Sequence, residues 1–352
     1  MIQPVHPDSR PTPAAALTAW GVACLRAAGV SEADAQCVAD SLVQTSLWGI
    51  DSHGIARLPH YLNRIAHGGV KARPEIVVTP SGAATAQVAG DQGLGIVVSH
   101  RAMRVAIEMA RASGIAAVGV SDSSHCGAVG LYSRVAAREG LIGMAFTHSD
   151  KIAAPHGGHL PFLGTNPIAM AFPREGGEPV CLDMATTSIP WNRVMNARRE
   201  QHPLPRDVVV DAQGAPTESA VDANALRPLG GLDYGHKGYG LALVVELLCG
   251  PLHGNLYGPQ IGPMYAELTK PRRIGAFMIA LDPLRFAGGA SFAITIEHIA
   301  RTLAAEPGGP RMPGDPELEE QAKRLVHGIP IEPGLRVEIE HWSAKLGVPS
   351  PF

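Results

Sequence analysis

Two short stretches hold most of the chain's candidate chemistry, DSHGIARLPHY (51–61) and SSHCGAVG (123–130). In the first, Asp51, Ser52, His53, Arg57, His60 and Tyr61 fall within eleven positions at the end of a helical run. Arginine stays charged, and its planar fork binds a carboxylate through two hydrogen bonds. If the chain turns helical from about Gly54, Arg57 and Tyr61 stand at i and i+4 on one face, with Ser52 and His53 at the helix N-terminus. A capped helix with a surface ion-pair arginine is the plainer alternative. In the second stretch, Ser123, Ser124, His125 and Gly127 separate an apolar strand from a helix, where backbone N–H groups and the helix dipole favour an anion. His125 ends the buried strand, and an ordinary imidazole pKa of about 6.5 suits proton exchange at neutral pH. An ordinary polar loop accounts for the same residues, so on local grounds both readings stand.

Other chemistries find less support. No G-x-x-x-x-G-K-[ST] occurs and no G-x-G-x-x-G joins a strand to a helix; GDQGLG (90–95) has its glycines in another order. No serine sits in G-x-S-x-G and no cysteine in an activating motif, which argues against acyl transfer. His156 and His159 in PHGGH lie in a glycine loop without a Cys or carboxylate at ligand spacing, so they read as a loop pair and no metal is expected.

The elements that must position these residues follow from periodicity. PAAALTAWGVACLRAAG and the run opened by Ser31 and Asp34 read as helices, and RLPHYLNRIAHGG as a third ending in glycines. EIVVTPSGAATAQVAG reads as a hairpin. Helix, strand, helix and strand then alternate through IVVSHRAMRVAIEMARASG, IAAVGVSD, AVGLYSRVAAREG and LIGMAFTHS. Further on come a strand at PVCLDMA, a hairpin signal at VVVDAQGAP, a helix at KGYGLALVVELLCG and a strand at GAFMIALDP. SFAITIEHIARTLAA and PELEEQAKRLVHG supply helices in the tail. The expected organisation is an α/β chain: a helical unit over 1–75 against which a helical tail (300–352) packs, and an α/β nucleotide and substrate unit over 76–299.

Composition narrows the partners. The 352 residues are 45% hydrophobic and 17% charged with a formal net charge of −3, which suits a compact globular chain and provides no basic stripe for nucleic acid or a membrane surface. Apolar runs such as LALVVELLC fall short of the roughly 20 residues of a membrane span. MIQPVHPDSRPTP lacks the pattern of a secretory leader. The five cysteines (24, 37, 126, 181, 249) form an odd set without a C-x-x-C pair, so no disulfide framework is expected and a reducing cytoplasm is the simplest home.

Taken in order, DSHGIARLPHYLNRI, SSHCGAVGLYSRVAAREGLIGMAFTHSD, GTNPIAMAFP, LDMATT, HKGYGLALVVELLCG and MPGDPE resemble blocks of the malate/L-lactate dehydrogenase-like oxidoreductases. That non-Rossmann group also holds ureidoglycolate, sulfolactate and diketogulonate reductases and cyclic-imine reductases. The resemblance implies a homodimer with its own mixed-sheet NAD(P)-binding fold and helical terminal segments packed together, hydride transfer between NAD or NADP and a small 2-hydroxy acid, and a carboxylate substrate. By the same resemblance His125 is the acid/base, with Ser52 and His53 assisting proton relay or substrate position. Arg57 holds the substrate carboxylate, near Tyr61, and Thr165 reaches the substrate.

For the cofactor the resemblance points to Cys126, Gly127, Ala128 and Val129, then Ser149, Asp183, Met184 and Ala185, then His236 with Lys237, and in the tail Arg311, Pro313, Gly314 and Asp315. Asp315 can accept from a ribose 2′-hydroxyl and Arg311 can take a 2′-phosphate, so NAD and NADP both remain open. Two departures bear on substrate. Trp191, Asn192 and Arg193 stand where similar cyclic-imine reductases have Arg-Gly-Asp, which replaces a relay carboxylate with a cation and favours 2-hydroxy acids over the alternative, imine reduction. His148 stands where the family carries Asn or Gln, placed to tune substrate choice or to fill the pocket rim.

Overall fold

The computed structural model describes His6 and residues 8–352, so part of the segment in which no leader is expected lies outside the described residues. The chain begins with β1 (Arg10–Thr12), α1 (Ala14–Ala27) and α2 (Glu32–Leu47). Ser31 caps α2 by accepting the Asp34 N–H at 3.2 Å. Two 3₁₀ turns, Asp51–His53 and Ile55–Arg57, then lead into α3 (Leu58–Ala66). The α/β part follows: β2 (Val77–Gly82), β3 (Thr85–Ala89), α4 (Gly95–Ser113), β4 (Ile115–Ser123), α5 (Gly130–Arg138), β5 (Ile142–Thr147), β6 (Ile168–Phe172) and β7 (Val180–Met184). After it come α6 (Trp191–Glu200), the short β8 (Val209–Val210) and β9 (Ala225–Leu226), α7 (Gly231–Cys249) and β10 (Ile274–Leu281). The tail is α8 (Gly289–Ala304), α9 (Asp315–His327), β11 (Ile329–Ile331) and α10 (Pro333–Leu346).

Seven strands form one mixed sheet in the order β2-β3-β4-β10-β5-β6-β7. In it β3 and β4 run parallel, and every other neighbouring pair is antiparallel. This is not a doubly wound parallel sheet. Strand alternation sorts the side chains: Ala145, Ala169, Ala276 and Met278 face α4 and α5, while Met144, Phe146, Ile168, Phe277 and Ile279 face Val245 and Cys249 of α7. A separate core joins the two ends of the chain, with Leu17, Trp20, Leu42, Leu58 and Leu62 packed against Ile329, Ile331, Ile339 and Trp342. β1 pairs with β11, which fastens these segments together.

Two helices escape the periodicity reading. α6 is polar on most sides, burying only Val194 and Ala197, and α10 buries three residues, so neither shows a strong apolar stripe. The turn carrying Ser52 and Arg57 is set by the tail. Arg324 on α9 is buried and grips Asp51 with both ends of its fork (2.6 and 3.0 Å), the Ser46 carbonyl (2.7 Å) and Glu320 (2.8 Å). Trp48 adds a bond to Gln321 at 2.9 Å. Removing one partner of a buried ion pair costs about 3 kcal/mol. Arg324→Ala is expected to lose about that much stability in urea unfolding, and a loss below about 0.5 kcal/mol, as for a surface change, would show that the clamp is not structural.

Candidate active site

Strand direction assembles the site. Because β4 and β5 both run antiparallel to the intervening β10, the residues after β4, those after β5 and those before β10 share one edge of the sheet. β6 and β7 extend the pattern, so the edge gathers His125, His148–Asp150, Thr165, Asp183–Ala185 and Arg272. α3 lies across it and supplies Tyr61, whose hydroxyl is 2.7 Å from Nδ1 of His125. That bond brings the two sequence stretches into one site.

His125 is tightly defined. The Gly127 N–H also donates to Nδ1, at 3.3 Å, so in this state Nδ1 accepts and the ring proton sits on Nε2. His53 stacks on it with ring centroids 5.6 Å apart, and Ser52 Oγ is 2.9 Å from His53 Nδ1. Arg57, the last residue of its 3₁₀ turn and not yet α-helical, donates Nε to the Ser52 carbonyl and Nη1 to the Tyr265 hydroxyl. Burial holds His125 well below the ordinary histidine pKa, with His53, Arg57, Arg272 and His60 adding to the effect. Burial and Arg57 bring His53 down to about 3; burial, Arg64, Arg57 and Arg272 do the same to His60. Burial pushes the Tyr61 hydroxyl well up, so it stays protonated.

The loop from Gly262 to Arg272 closes the site and was not legible in the sequence. Arg64, one turn beyond Tyr61, donates to the carbonyls of Pro263, Met264, Ala266 and Lys270 at 2.9–3.2 Å. Arg272 pairs with Asp150 and donates to the Gly262 carbonyl at 3.0 Å. Tyr265, held by these anchors, also meets the His60 ring edge-on at 5.3 Å. The one available signal was Arg64 at i+3 from Tyr61; nothing marked Tyr265 or Arg272.

Two expectations are corrected here. His148 is buried with both ring nitrogens engaged: Nδ1 faces Glu246 at 3.1 Å and Nε2 accepts the Gly275 N–H at 2.8 Å. Neither nitrogen is left for a substrate, so His148 is a buried tie between β5, β10 and α7. Arg193 is exposed on α6, while Asn192 and Asn196 line a cleft of about 170 Å³ with Ser52 and Arg57. The cation at 193 therefore lies outside this cleft, whose lining beside Arg57 includes two amides. Thr165 has its main chain committed, donating to Ser149 Oγ (3.3 Å) and accepting from Thr186 (2.9 Å), and its hydroxyl makes no hydrogen bond to the described residues.

The residues expected to hold a dinucleotide lie along the same edge. The loop Cys126–Val129 opens α5, with Gly127 at φ +70°. Asp183 accepts the Gly130 N–H at 2.8 Å, and its other oxygen makes no bond to the described residues. Burial raises Asp183 to about 6, against the lowering by Gly130 and Arg134, so a hydroxyl or amide donor there would find a receptive acceptor. The tail reaches the cradle through the bond from Cys181 N–H to the Pro313 carbonyl at 2.9 Å. Gly314, at φ +99°, lies so close to Arg134 and Cys181 that a Cβ would be 3.1–3.2 Å from them. Met184 and Ala185 continue from Asp183, and the Leu229 N–H donates to the Thr186 carbonyl at 2.8 Å, bringing the start of α7 alongside. On that helix His236 packs against His156 and Lys237 lies over Tyr234. Arg311 is exposed and paired with Glu319 at 2.8 Å, whereas Asp315 accepts the Met312 N–H at 3.0 Å and faces Arg174. The donors and acceptors present fit NAD(P).

A family model for malate/L-lactate dehydrogenase matches residues 12–340. The chain belongs to that family. Among its relatives, a ureidoglycolate dehydrogenase (NAD(+)) from Escherichia coli O157:H7 is 35% identical over 309 residues, covering 86% of this chain and 87% of the relative. A malate dehydrogenase structure from Pyrococcus horikoshii OT3 superposes with a TM-score of 0.90 at 33% identity over 99% of both chains. A delta1-piperideine-2-carboxylate reductase structure from Pseudomonas syringae pvar. tomato gives 0.85 at 31% identity over 96% of this chain and 99% of that one. As a malate/L-lactate dehydrogenase family member the chain is an NAD(P)-dependent oxidoreductase acting on CH–OH groups. None of its described helices is long and apolar enough to cross a membrane.

Two outcomes follow from the site's electrostatics. His53, His60 and His100 have folded pKa values of about 3, 3 and 4, and an unfolded histidine titrates at about 6.5. Between those values the unfolded chain binds more protons, so stability falls as pH is lowered, by up to about 1.4 kcal/mol per unit for each of these partly buried rings. The melting temperature should drop continuously from pH 7 to pH 4.5; a flat profile would mean that these rings take up protons in the folded state. His148→Gln should lower the melting temperature yet leave KM for a carboxylate substrate within about twofold, since no substrate contact is lost. A KM raised tenfold at unchanged stability would return His148 to the substrate pocket.

Proposed function

We propose that the chain interconverts a small 2-hydroxy acid and its 2-oxo acid, with His125 as the acid/base and Arg57 as the carboxylate anchor. The observation that carries this is the partly buried His125 ring bonded to the buried Tyr61 beside the buried Arg57, a proton carrier and an anion anchor in one pocket. Relatives named as malate, sulfolactate and ureidoglycolate dehydrogenases support the substrate class.

When bound, the nicotinamide accepts the hydride in oxidation and returns it in reduction. The chain's own residues manage the proton. In the free protein the arginine field and dry surroundings hold His125 neutral. A substrate carboxylate against Arg57 offsets that field and favours a second proton on the ring. The Tyr61 hydroxyl can donate or accept, so it follows Nδ1 through this change. In reduction Nε2–H gives its proton to the substrate oxygen, and in oxidation the same nitrogen takes it back. Ser52 and His53 hold Arg57 and the second ring in register. The hydroxyl of Thr165 is free to meet the substrate, and Asp183, the 126–129 loop and the 313–314 turn hold the cofactor.

We also read the chain as a homodimer in the cytoplasm. Leu241, Val244 and Leu247 leave an apolar strip on the outer face of α7, each at least 42% exposed, of the kind a second copy covers. Imine reduction is the less supported reading, because residues 191–193 carry no carboxylate where similar cyclic-imine reductases have one.

His125→Ala is expected to lower kcat for oxidation and reduction by at least about 10²-fold with cofactor affinity kept, as loss of an acid/base does. Arg57→Ala should cut kcat/KM for carboxylate substrates by about 10²-fold. Unchanged turnover in the first variant, measured by absorbance at the reduced-nicotinamide band, would refute the assignment.

A further inference from the structure

Three side chains beside the tail turn keep hydrogen-bonding capacity that the fold does not use. Asp183, at the end of β7, accepts the Gly130 N–H with one carboxylate oxygen and leaves the other without a partner among the described residues. Glu317, in the first turn of α9, has a buried Oε2 with no hydrogen-bond partner among the described residues. Arg134, on α5 one turn beyond Gly130, is 3% exposed and lies over the Trp48 ring at 4.2 Å, yet it makes no hydrogen bond and no ion pair to the described residues. Buried polar groups are normally satisfied, and a buried charge without a partner is costly.

Gly314 draws these groups together. At φ +99° its backbone lies where a Cβ would stand 3.1 Å from Arg134 Nη2 and 3.2 Å from the backbone nitrogen of Cys181, two residues before Asp183. Burial raises the Asp183 carboxyl to about 6; the Gly130 N–H and Arg134 work against that and Glu317 adds to it, so both charges are felt at Asp183. The turn as a whole carries excess negative charge. Arg311 is paired with Glu319 and Arg174 with Glu297, which leaves Asp183, Asp315 and Glu317 to outnumber Arg134.

Sheet order tells which part of the cofactor meets them. His125 follows β4, and β7 stands four places from β4 in the sheet, about 19 Å at ~4.8 Å per strand. A nicotinamide against His125 keeps its own ribose near that ring, so the ribose that reaches β7 is the one on the adenosine side.

We infer that Asp183, Glu317 and Arg134 read the vicinal diol of the adenosine ribose, so that the enzyme selects NAD over NADP. The two carboxylates accept from the hydroxyls and the guanidinium donates to a hydroxyl oxygen, which engages all three idle groups at once. A 2′-phosphate removes a donor and sets a dianion beside the excess negative charge. This assignment rests on the reading above that Asp183 and the 313–314 turn hold the cofactor, and it adds which ribose they hold and which cofactor they admit.

Direct binding of NADH and NADPH to the substrate-free enzyme, followed by reduced-nicotinamide fluorescence, tests it without turnover. Wild type should bind NADH at least about tenfold more tightly, because like charges set against each other are rejected. The NADH analogue that lacks the adenosine 2′-hydroxyl should bind at least about tenfold more weakly than NADH, as a site built to bond a hydroxyl discriminates against its loss. That arm needs no variant. Glu317→Gln keeps the shape and removes the charge; it should weaken NADH and strengthen NADPH, narrowing their ratio at least about fivefold, with the melting temperature of the cofactor-free protein unchanged or higher. A glutamate with a structural role alone would move both cofactors alike. Equal wild-type affinity for NADH and NADPH, full affinity for the deoxy analogue, or an unaltered ratio in Glu317→Gln would each overturn the assignment. Asp183→Asn separates the two readings. If it leaves both cofactors at wild-type affinity, the cofactor does not lie on Asp183 and both readings fall; if it weakens NADH while wild type binds NADH and NADPH alike, the cofactor site stands and the ribose assignment falls.

Discussion

The hydrogen bond from Tyr61 to Nδ1 of His125 joins the two halves of the molecule. Tyr61 belongs to the core made by the terminal helices, and His125 ends a central strand of the sheet. With that bond in place α3 lies across the sheet edge, and the arginine one turn before Tyr61 points its charge into the same pocket. Shift α3 by one turn and neither His125 nor Arg57 keeps its partner. The Asp51–Arg324 clamp guards this register by tying the start of the turn to the tail helix.

Dryness then sets the electrostatics. Three partly buried imidazoles and three buried guanidinium groups cannot all be charged side by side, and the histidines yield because their protons are the more weakly held. The pocket is left cationic and proton-poor. On the proposed reading, an arriving substrate anion does two things at once: it pairs with Arg57 and it lowers the cost of a proton on His125. In that proposal substrate binding and proton readiness are coupled through the field, with no need for a moving part.

The sheet explains why residues so distant in sequence meet. By inserting antiparallel between β4 and β5, β10 brings the ends of those strands and its own beginning to one edge. A parallel doubly wound sheet would gather only strand C-termini there, and Arg272, which precedes its strand, would lie at the far edge. The absence of a glycine-rich dinucleotide fingerprint is consistent with this, because the cradle is made from a βα loop, a carboxylate on an edge strand and a turn of the tail.

Residue type and spacing by themselves determined the alternating α/β order, the helical ends, and the two stretches around Arg57 and His125, because side-chain period and helix-start chemistry are local. The family blocks added an expectation of which residues hold the cofactor. Pairing partners were beyond local reach. His148 looks like a pocket histidine until Glu246 and the Gly275 N–H occupy both its nitrogens. Arg193 looks like a substituted relay residue until α6 turns it to solvent and presents Asn192 and Asn196 instead. Tyr265 and Arg272 carry no motif, and they matter only because Arg64 and Asp150 hold their loop over the site. Sequence determined which groups could do chemistry. Only the tertiary structure decided which of them are left unpaired in a buried place, since both burial and the count of partners depend on every element that packs around a residue.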